Sequence, residues 1–121
     1  AGAAADLGAG AVEVNGVKIL AARREGFDAK ALREAIDRLK QQLGDAVIVL
    51  AGTQDGKAAL VAGVNGSATG KVKAGELLSH IAGQIGGKGG GRPDLAQGGG
   101  EDGPALASAL AAVVDWVTPR I

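Results

Sequence analysis

The chain has 121 residues, 46% of them hydrophobic and 22 of them glycine, and its formal net charge is zero, with 13 Lys+Arg against 13 Asp+Glu. That length suits one domain with one modest core, and the charge balance sets the chain apart from strongly basic domains that hold nucleic acid through many phosphate contacts. Without Cys, disulfides, thiolate metal sites and Cys nucleophiles are excluded, and no run approaches the roughly 18 apolar residues of a transmembrane helix. The opening "AGAAADLGAG" has no basic n-region and is not a signal peptide. It carries no initiator Met. Residues 1–10 read as the end of a helix or a linker from an absent upstream region, which leaves 11–121 as the globular domain.

"AVEVNGVKILAA" follows. Asn15-Gly16 between alternating runs is a hairpin signal, because both turn residues of a type I′ turn need positive φ. A two-residue loop pairs Val14 with Val17, Glu13 with Lys18 and Val12 with Ile19, which puts the four aliphatics on one face. "FDAKALREAIDRLKQQLG" reads as a helix with Asp28 as N-cap and Gly44 just past its end. Leu32, Ile36, Leu39 and Leu43 form its buried stripe, and Arg33–Asp37 and Glu34–Arg38 are candidate pairs on the wet side. "AVIVLAG" is continuously apolar, hence a central strand buried on both faces. An Asp55-Gly56 turn then returns "AALVAGV" antiparallel to it, and Asn65 to Gly70 reads as a loop.

From about Ala74 to Ile85 the apolar positions Ala74, Leu77, Leu78, Ile81, Ala82 and Ile85 mark an amphipathic helix. In "DGPALASALAAVVDWV" Asp102 is the expected N-cap, Pro104 suits the first turn, and Leu106, Leu110, Val113 and Val117 make a core stripe that Pro119 ends. Trp116 lies near that stripe and reads as packing. The order is β-β-α-β-β-α-α, an α+β domain. Its expected sheet is small, mixed or antiparallel, with four to five strands and about three helices packed on one side.

Catalytic readings fail for want of side chains. His80 is the lone His and falls on the polar side of its helix, which favours a surface role over a catalytic one, and a hydrolytic triad or a metal cluster would have to be assembled without a second His or any Cys. No D-x-D cluster proposes a Mg²⁺ site, and Glu101-Asp102 suits a helix N-terminus.

Between the last two helices lies "GGKGGGRPDLAQGGG", Gly86 to Gly100, with eight glycines in fifteen residues. The Walker spacing is absent: Gly83 to Lys88 is one residue short, and Lys88 is followed by Gly89 instead of a hydroxyl. A G-x-G-x-x-G match at Gly98, Gly100 and Gly103 has no strand expected before it, and Glu101 and Asp102 would repel a pyrophosphate. A flexible linker is a poor fit between two core helices, with Pro93 stiffening the centre and Leu95 as an apolar anchor. An ordered loop is expected. Glycine is costly to order, at about 0.5–1 kcal/mol relative to Ala in regular structure. Either protein packs closely against this bare backbone or a ligand approaches it. Exposed N–H groups can cradle an anion, and Lys88 and Arg92 add charge suited to phosphate. By charge, Val17–Lys40 and Lys71–Arg92 are each positive by three and Asp94–Asp115 is negative by four. These offsets suit ordinary surface mixing as well as a local positive face.

This glycine segment resembles the glycine-rich signature near the C-terminus of bacterial alanyl-tRNA synthetases. "AVEVNGVKILAARREGFDAKALREAIDRLKQQLGDAVIVLAG" and "ALAAVVDWV" are similar to the same enzyme family's C-terminal globular domain, so the resemblance runs from about Ala9 to Trp116. The domain type also resembles the substrate-binding domain of Asp-His-His phosphoesterases, which typically carry G-G-G-H at this loop. Here Arg92 follows Gly89-Gly90-Gly91, a departure that favours the synthetase. The resemblance implies a non-catalytic module of alanine–tRNA ligase that binds the elbow of tRNA(Ala), where the D and T loops meet. It would link the aminoacylation and editing domains of the same chain and support a homodimer, in the cytoplasm and away from membranes. No cofactor is implied for this domain, since ATP, Mg and Zn belong to the rest of the parent enzyme. The candidate RNA-binding residues are Lys88, Gly89, Gly90, Gly91, Arg92, Asp94 and Gln97.

Overall fold

A computed structural model describes residues 12–121; the expectation for residues 1–10 lies outside the described residues. The elements are β1 (Val12–Val14), β2 (Val17–Glu25), α1 (Ala29–Leu43), β3 (Ala46–Gln54), β4 (Lys57–Asn65), a 3-10 turn (Gly66–Gly70), α2 (Ala74–Gln84), β5 (Lys88–Gly91), β6 (Leu95–Glu101), α3 (Pro104–Ala111), α4 (Val113–Val117) and a closing 3-10 turn (Thr118–Arg120). The strands form one sheet in the order β1-β2-β3-β4-β6-β5.

Both hairpin turns are as read. Asn15 and Gly16 have φ of 52° and 81°, and Asp55 and Gly56 of 54° and 77°. The first turn sets the expected register, Val12↔Ile19, Glu13↔Lys18 and Val14↔Val17. Val17 and Ile19 are buried, while Val12, at the sheet's edge, is 47% exposed. Asp28 caps α1 by accepting the Ala31 amide at 2.8 Å, and Gly44 follows the helix with φ 73°. The two expected pairs on α1, Arg33–Asp37 and Glu34–Arg38, do not close; the ion pairs that form include Arg23–Asp102 and Arg92–Asp94.

Helices cover both faces of the sheet, not one. β2 and β3 are parallel, and a parallel pair needs a crossover that lies over a face. α1 supplies it, burying Leu32, Ala35, Ile36 and Leu39 against Leu20, Ile48, Leu50 and Val61. The other face of the same strands, with Val17, Ile19, Val47, Val49, Leu60 and Ala62, packs under α2, α3 and α4. β3 is buried from Ala46 to Thr53 because both faces are taken.

The glycine segment also departs from expectation. It is not a loop but a hairpin, β5 and β6, which raises the sheet to six strands. Glycine is a poor strand former, so local propensity gave no strand signal. The pairing is imposed by β4, whose free edge is filled by β6 from Lys57↔Glu101 to Gly63↔Leu95. β5 then pairs β6 from Lys88↔Gly99 to Gly91↔Ala96. The final helix differs in two ways. Its N-cap is Gly103, without a side-chain cap, because Asp102 instead accepts Arg23 Nη2 at 3.0 Å. The helix is also interrupted at Ala112, although Leu106, Leu110, Val113 and Val117 remain buried.

Candidate nucleic-acid interface

The β5–β6 hairpin is pinned at its Arg92-Pro93-Asp94 tip. The Arg92 amide donates to Leu95 O at 3.0 Å, closing the turn. Pro93 O accepts the Ala74 amide at the start of α2 at 2.8 Å, and Asp94 O accepts the Val64 amide of β4 at 2.9 Å. Lys40 Nζ of α1 donates to the same Asp94 O at 3.2 Å. The tip is therefore held by β4 and by helices on both faces, which gives an exposed turn a fixed position.

Strand alternation sorts the candidate residues. Leu95 packs with the α1-side core and Ala96 with the opposite core. Gln97, opposite Gly90, therefore shares the α1 side with Gly90 and Lys88, whereas Gly89 and Gly91 face α2. Arg92 and Asp94 stand in the turn, their side chains 3.8 Å apart and both exposed. The seven candidates are thus brought to one hairpin but not to one face. Lys88, Gly90, Gly91, Arg92, Asp94 and Gln97 are exposed and Gly89 is half-buried.

The glycines divide by what surrounds them. A Cβ at Gly98 would lie 2.4 Å from Lys88 O, one at Gly87 1.7 Å from Gly99 O, and one at Gly100 2.4 Å from Ile85 Cγ1. These are filled by the protein's own backbone and core. A Cβ at Gly89 would meet Leu78 Cδ2 at 3.2 Å, under α2. At Gly90 nothing lies within 4 Å, and its φ is not in the left-handed range. Close approach of neighbouring strand backbone, together with Leu78 and Ile85 at α2, explains most of the glycines; it does not explain Gly90. The G-x-G-x-x-G match does have a strand running into it, β6, contrary to expectation. Gly98 and Gly100 lie inside that strand and serve packing, not a phosphate-binding turn.

Two grooves flank β5. The α2-side groove, about 540 Å³, is lined by Lys73, Gly75, Glu76, Ser79, Gly89 to Gly91 and Pro93. The α1-side groove, about 260 Å³, is lined by Arg33, Gly90, Gly91, Arg92, Leu95, Ala96 and Gln97. Arg33, Lys73 and Ser79 were not singled out as site residues in the sequence. Their place beside the glycine strand depends on the order β4-β6-β5, which no local pattern encodes.

No group of three or more His, Asp or Glu among the described residues could hold a metal ion, and no helix among them is long and apolar enough to cross a membrane. His80 is exposed, as expected, and stacks on Trp116 with centroids 5.8 Å apart. Trp116 packs against the core, and the Arg120 guanidinium lies 3.5 Å over its ring.

The DHHA1 domain model matches residues 16–118. The chain belongs to the DHHA1 domain family. It is 87% identical over 121 residues to the alanine–tRNA ligase of Stenotrophomonas maltophilia (strain K279a) and 80% over 120 residues to that of Xanthomonas campestris pv. campestris (strain B100). These alignments cover 100% and 99% of this chain but 14% of each ligase, so the chain spans a small part of these relatives' length. Among solved structures it is similar to the C-Ala domain from Aquifex aeolicus alanyl-tRNA synthetase, with TM-score 0.80 and 28% identity over 89% of this chain and 97% of that one. A pGpG-specific phosphodiesterase, PggH from Vibrio cholerae, shares the fold alone, with TM-score 0.52 and 14% identity over 97% of this chain and 38% of that one. These matches bear out the resemblance of this DHHA1 domain to the C-terminal domain of alanyl-tRNA synthetase and do not favour the phosphoesterase alternative.

Proposed function

We propose that this DHHA1 domain binds the elbow of tRNA(Ala) on behalf of a cytoplasmic alanine–tRNA ligase, so that aminoacylation and editing act on one bound tRNA, and that it also supports a homodimer of the ligase. The observation that carries the reading is the exposed glycine strand, which is bare at Gly90 where the fold makes no demand for glycine and is flanked by Lys88, without a partner among the described residues, and by loosely paired Arg92. A folded RNA corner offers shape, sugar hydroxyls and phosphates more than readable base edges. A bare strand admits such a surface closely, and cations on its flank meet the phosphates. The high identity to alanine–tRNA ligases supports tRNA(Ala) as the RNA in question.

The test uses the full-length ligase. Lys88→Ala combined with Arg92→Ala is expected to weaken tRNA(Ala) binding several-fold, by the loss of up to two phosphate contacts, while alanyl-adenylate formation is unchanged. Chemical footprinting should show elbow protection with the domain present and its loss on deletion of the domain. Unchanged tRNA affinity in the double variant together with an unprotected elbow would overturn the reading.

A further inference from the structure

We infer that the RNA backbone runs along the α1 side of the glycine hairpin, and that Arg33 is a phosphate-binding residue of the domain. The inference rests on the tRNA reading above and names the side of the hairpin on which the contact is made.

The two grooves beside β5 differ in charge and in what fills them. The α2-side groove is the larger, but its lining holds the carboxylate of Glu76 as well as Lys73. On that side α2 has closed on the strand: Gly89 sits under Leu78, and a Cβ at Gly75 would lie 2.9 Å from Gly91 O. The lining of the α1-side groove holds two guanidinium groups, Arg33 and Arg92, the amide of Gln97, and no carboxylate. Gly90 faces this side with open space where a side chain would stand.

Among the described residues Arg33 has no ion-pair or hydrogen-bond partner, although Asp37 stands one turn further along α1. Its five donors are therefore available. Arg92 is held only at 3.8 Å from Asp94, with the two side chains 73% and 55% exposed, and such a pair contributes little that a phosphate could not replace. A phosphodiester chain is the occupant this lining fits. It presents anionic oxygens to forked guanidinium donors, a sugar edge to Gln97, and enough bulk that only a bare Gly90 leaves it room. A small free anion would need no bare strand between the two arginines.

The experiment measures tRNA(Ala) affinity of the full-length ligase against salt concentration. Arg33→Ala is expected to weaken binding roughly five-fold and to lower the salt slope by about one unit, with an unchanged melting temperature because the side chain is exposed and unpaired. Lys73→Ala, on the other side, should change neither quantity. Gly90→Val, whose branched side chain suits a strand, should melt like the parent and lose affinity by filling the groove. If Arg33→Ala binds with the parent's affinity and slope while Lys88→Ala/Arg92→Ala binds weakly, Arg33 is not a phosphate-binding residue and the inference is overturned, while the tRNA reading stands. If the Lys88/Arg92 double variant is also unaffected, the tRNA site itself falls. Loss of binding in Lys73→Ala with none in Arg33→Ala would move the RNA to the α2 side and overturn the inference. A Gly90→Val variant that fails to fold leaves the Arg33 and Lys73 measurements to decide.

Discussion

Gly98 and Gly90 are the same residue in adjacent strands, separated by what a methyl group would meet. At Gly98 it would reach 2.4 Å from Lys88 O and 2.5 Å from Gly89 Cα, both backbone atoms of a paired strand. The strands would have to part to admit it, so Gly98→Ala is expected to destabilise the domain by about 1–3 kcal/mol. At Gly90 the methyl enters open space. Gly90→Ala should therefore leave stability within about 0.5 kcal/mol of the parent, or raise it slightly by restricting the unfolded chain. Urea unfolding of the two variants checks this directly, and a Gly90→Ala loss equal to that of Gly98→Ala would contradict the division of the glycines made above. The same contrast answers the choice left open by the sequence. Most of these glycines face the protein's own packing, whereas a Cβ at Gly90 would meet nothing within 4 Å, which leaves it open to the proposed RNA contact.

Among elements, α1 was legible because it announces itself locally. Its stripe of Leu32, Ile36, Leu39 and Leu43, its capping Asp28 and its terminal Gly44 are all short-range signals, and each holds except that Leu43, in the last turn, is only half-buried. The Asp28 cap also predicts a magnitude. Its carboxylate satisfies the Ala31 amide at 2.8 Å, so Asp28→Ala should cost about 1 kcal/mol, seen as a lower unfolding midpoint in urea with the slope unchanged. The hairpins at Asn15-Gly16 and Asp55-Gly56 were legible for the same reason, since the turn chemistry specifies the register. The glycine hairpin was not. Its strands have almost no side chains to alternate, and what orders them is the unfilled edge of β4 and the close approach of α2, neither of which is written within the segment. For the candidate site this had a definite effect. The residue types around Lys88 and Arg92 could be read as a phosphate-friendly surface, but their sorting to two faces, and the arrival of Arg33 beside Gly90, follow from strand order alone. Asp102 shows the converse. It has the composition of a helix cap, yet Arg23, from β2, takes it as a partner.

For the molecule as a whole, charge is neutral in sum but not in place. Arg33, Lys40 and Arg92 gather about the hairpin tip, while Glu101 and Asp102 lie at the other end of β6, roughly 20 Å away for a seven-residue strand. A patch of this size makes few phosphate contacts, and few contacts mean weak binding with a shallow salt dependence. The domain is 14% of the length of the ligases it resembles, and within such a chain its contact becomes intramolecular once the tRNA is held elsewhere. Effective concentrations in the millimolar range then let a weak contact add substantially to the affinity of the whole. The expected outcome is asymmetric. In fluorescence anisotropy titrations the separate domain should bind tRNA(Ala) at least about a hundred-fold more weakly than the full-length ligase. Deleting the domain from the ligase should nonetheless lower affinity well beyond what the separate domain's own Kd suggests. If the separate domain binds as tightly as the full enzyme, tethering contributes nothing and a larger cationic surface than the hairpin must be at work. If deletion leaves the ligase's affinity unchanged, the hairpin's contact with tRNA adds nothing to binding.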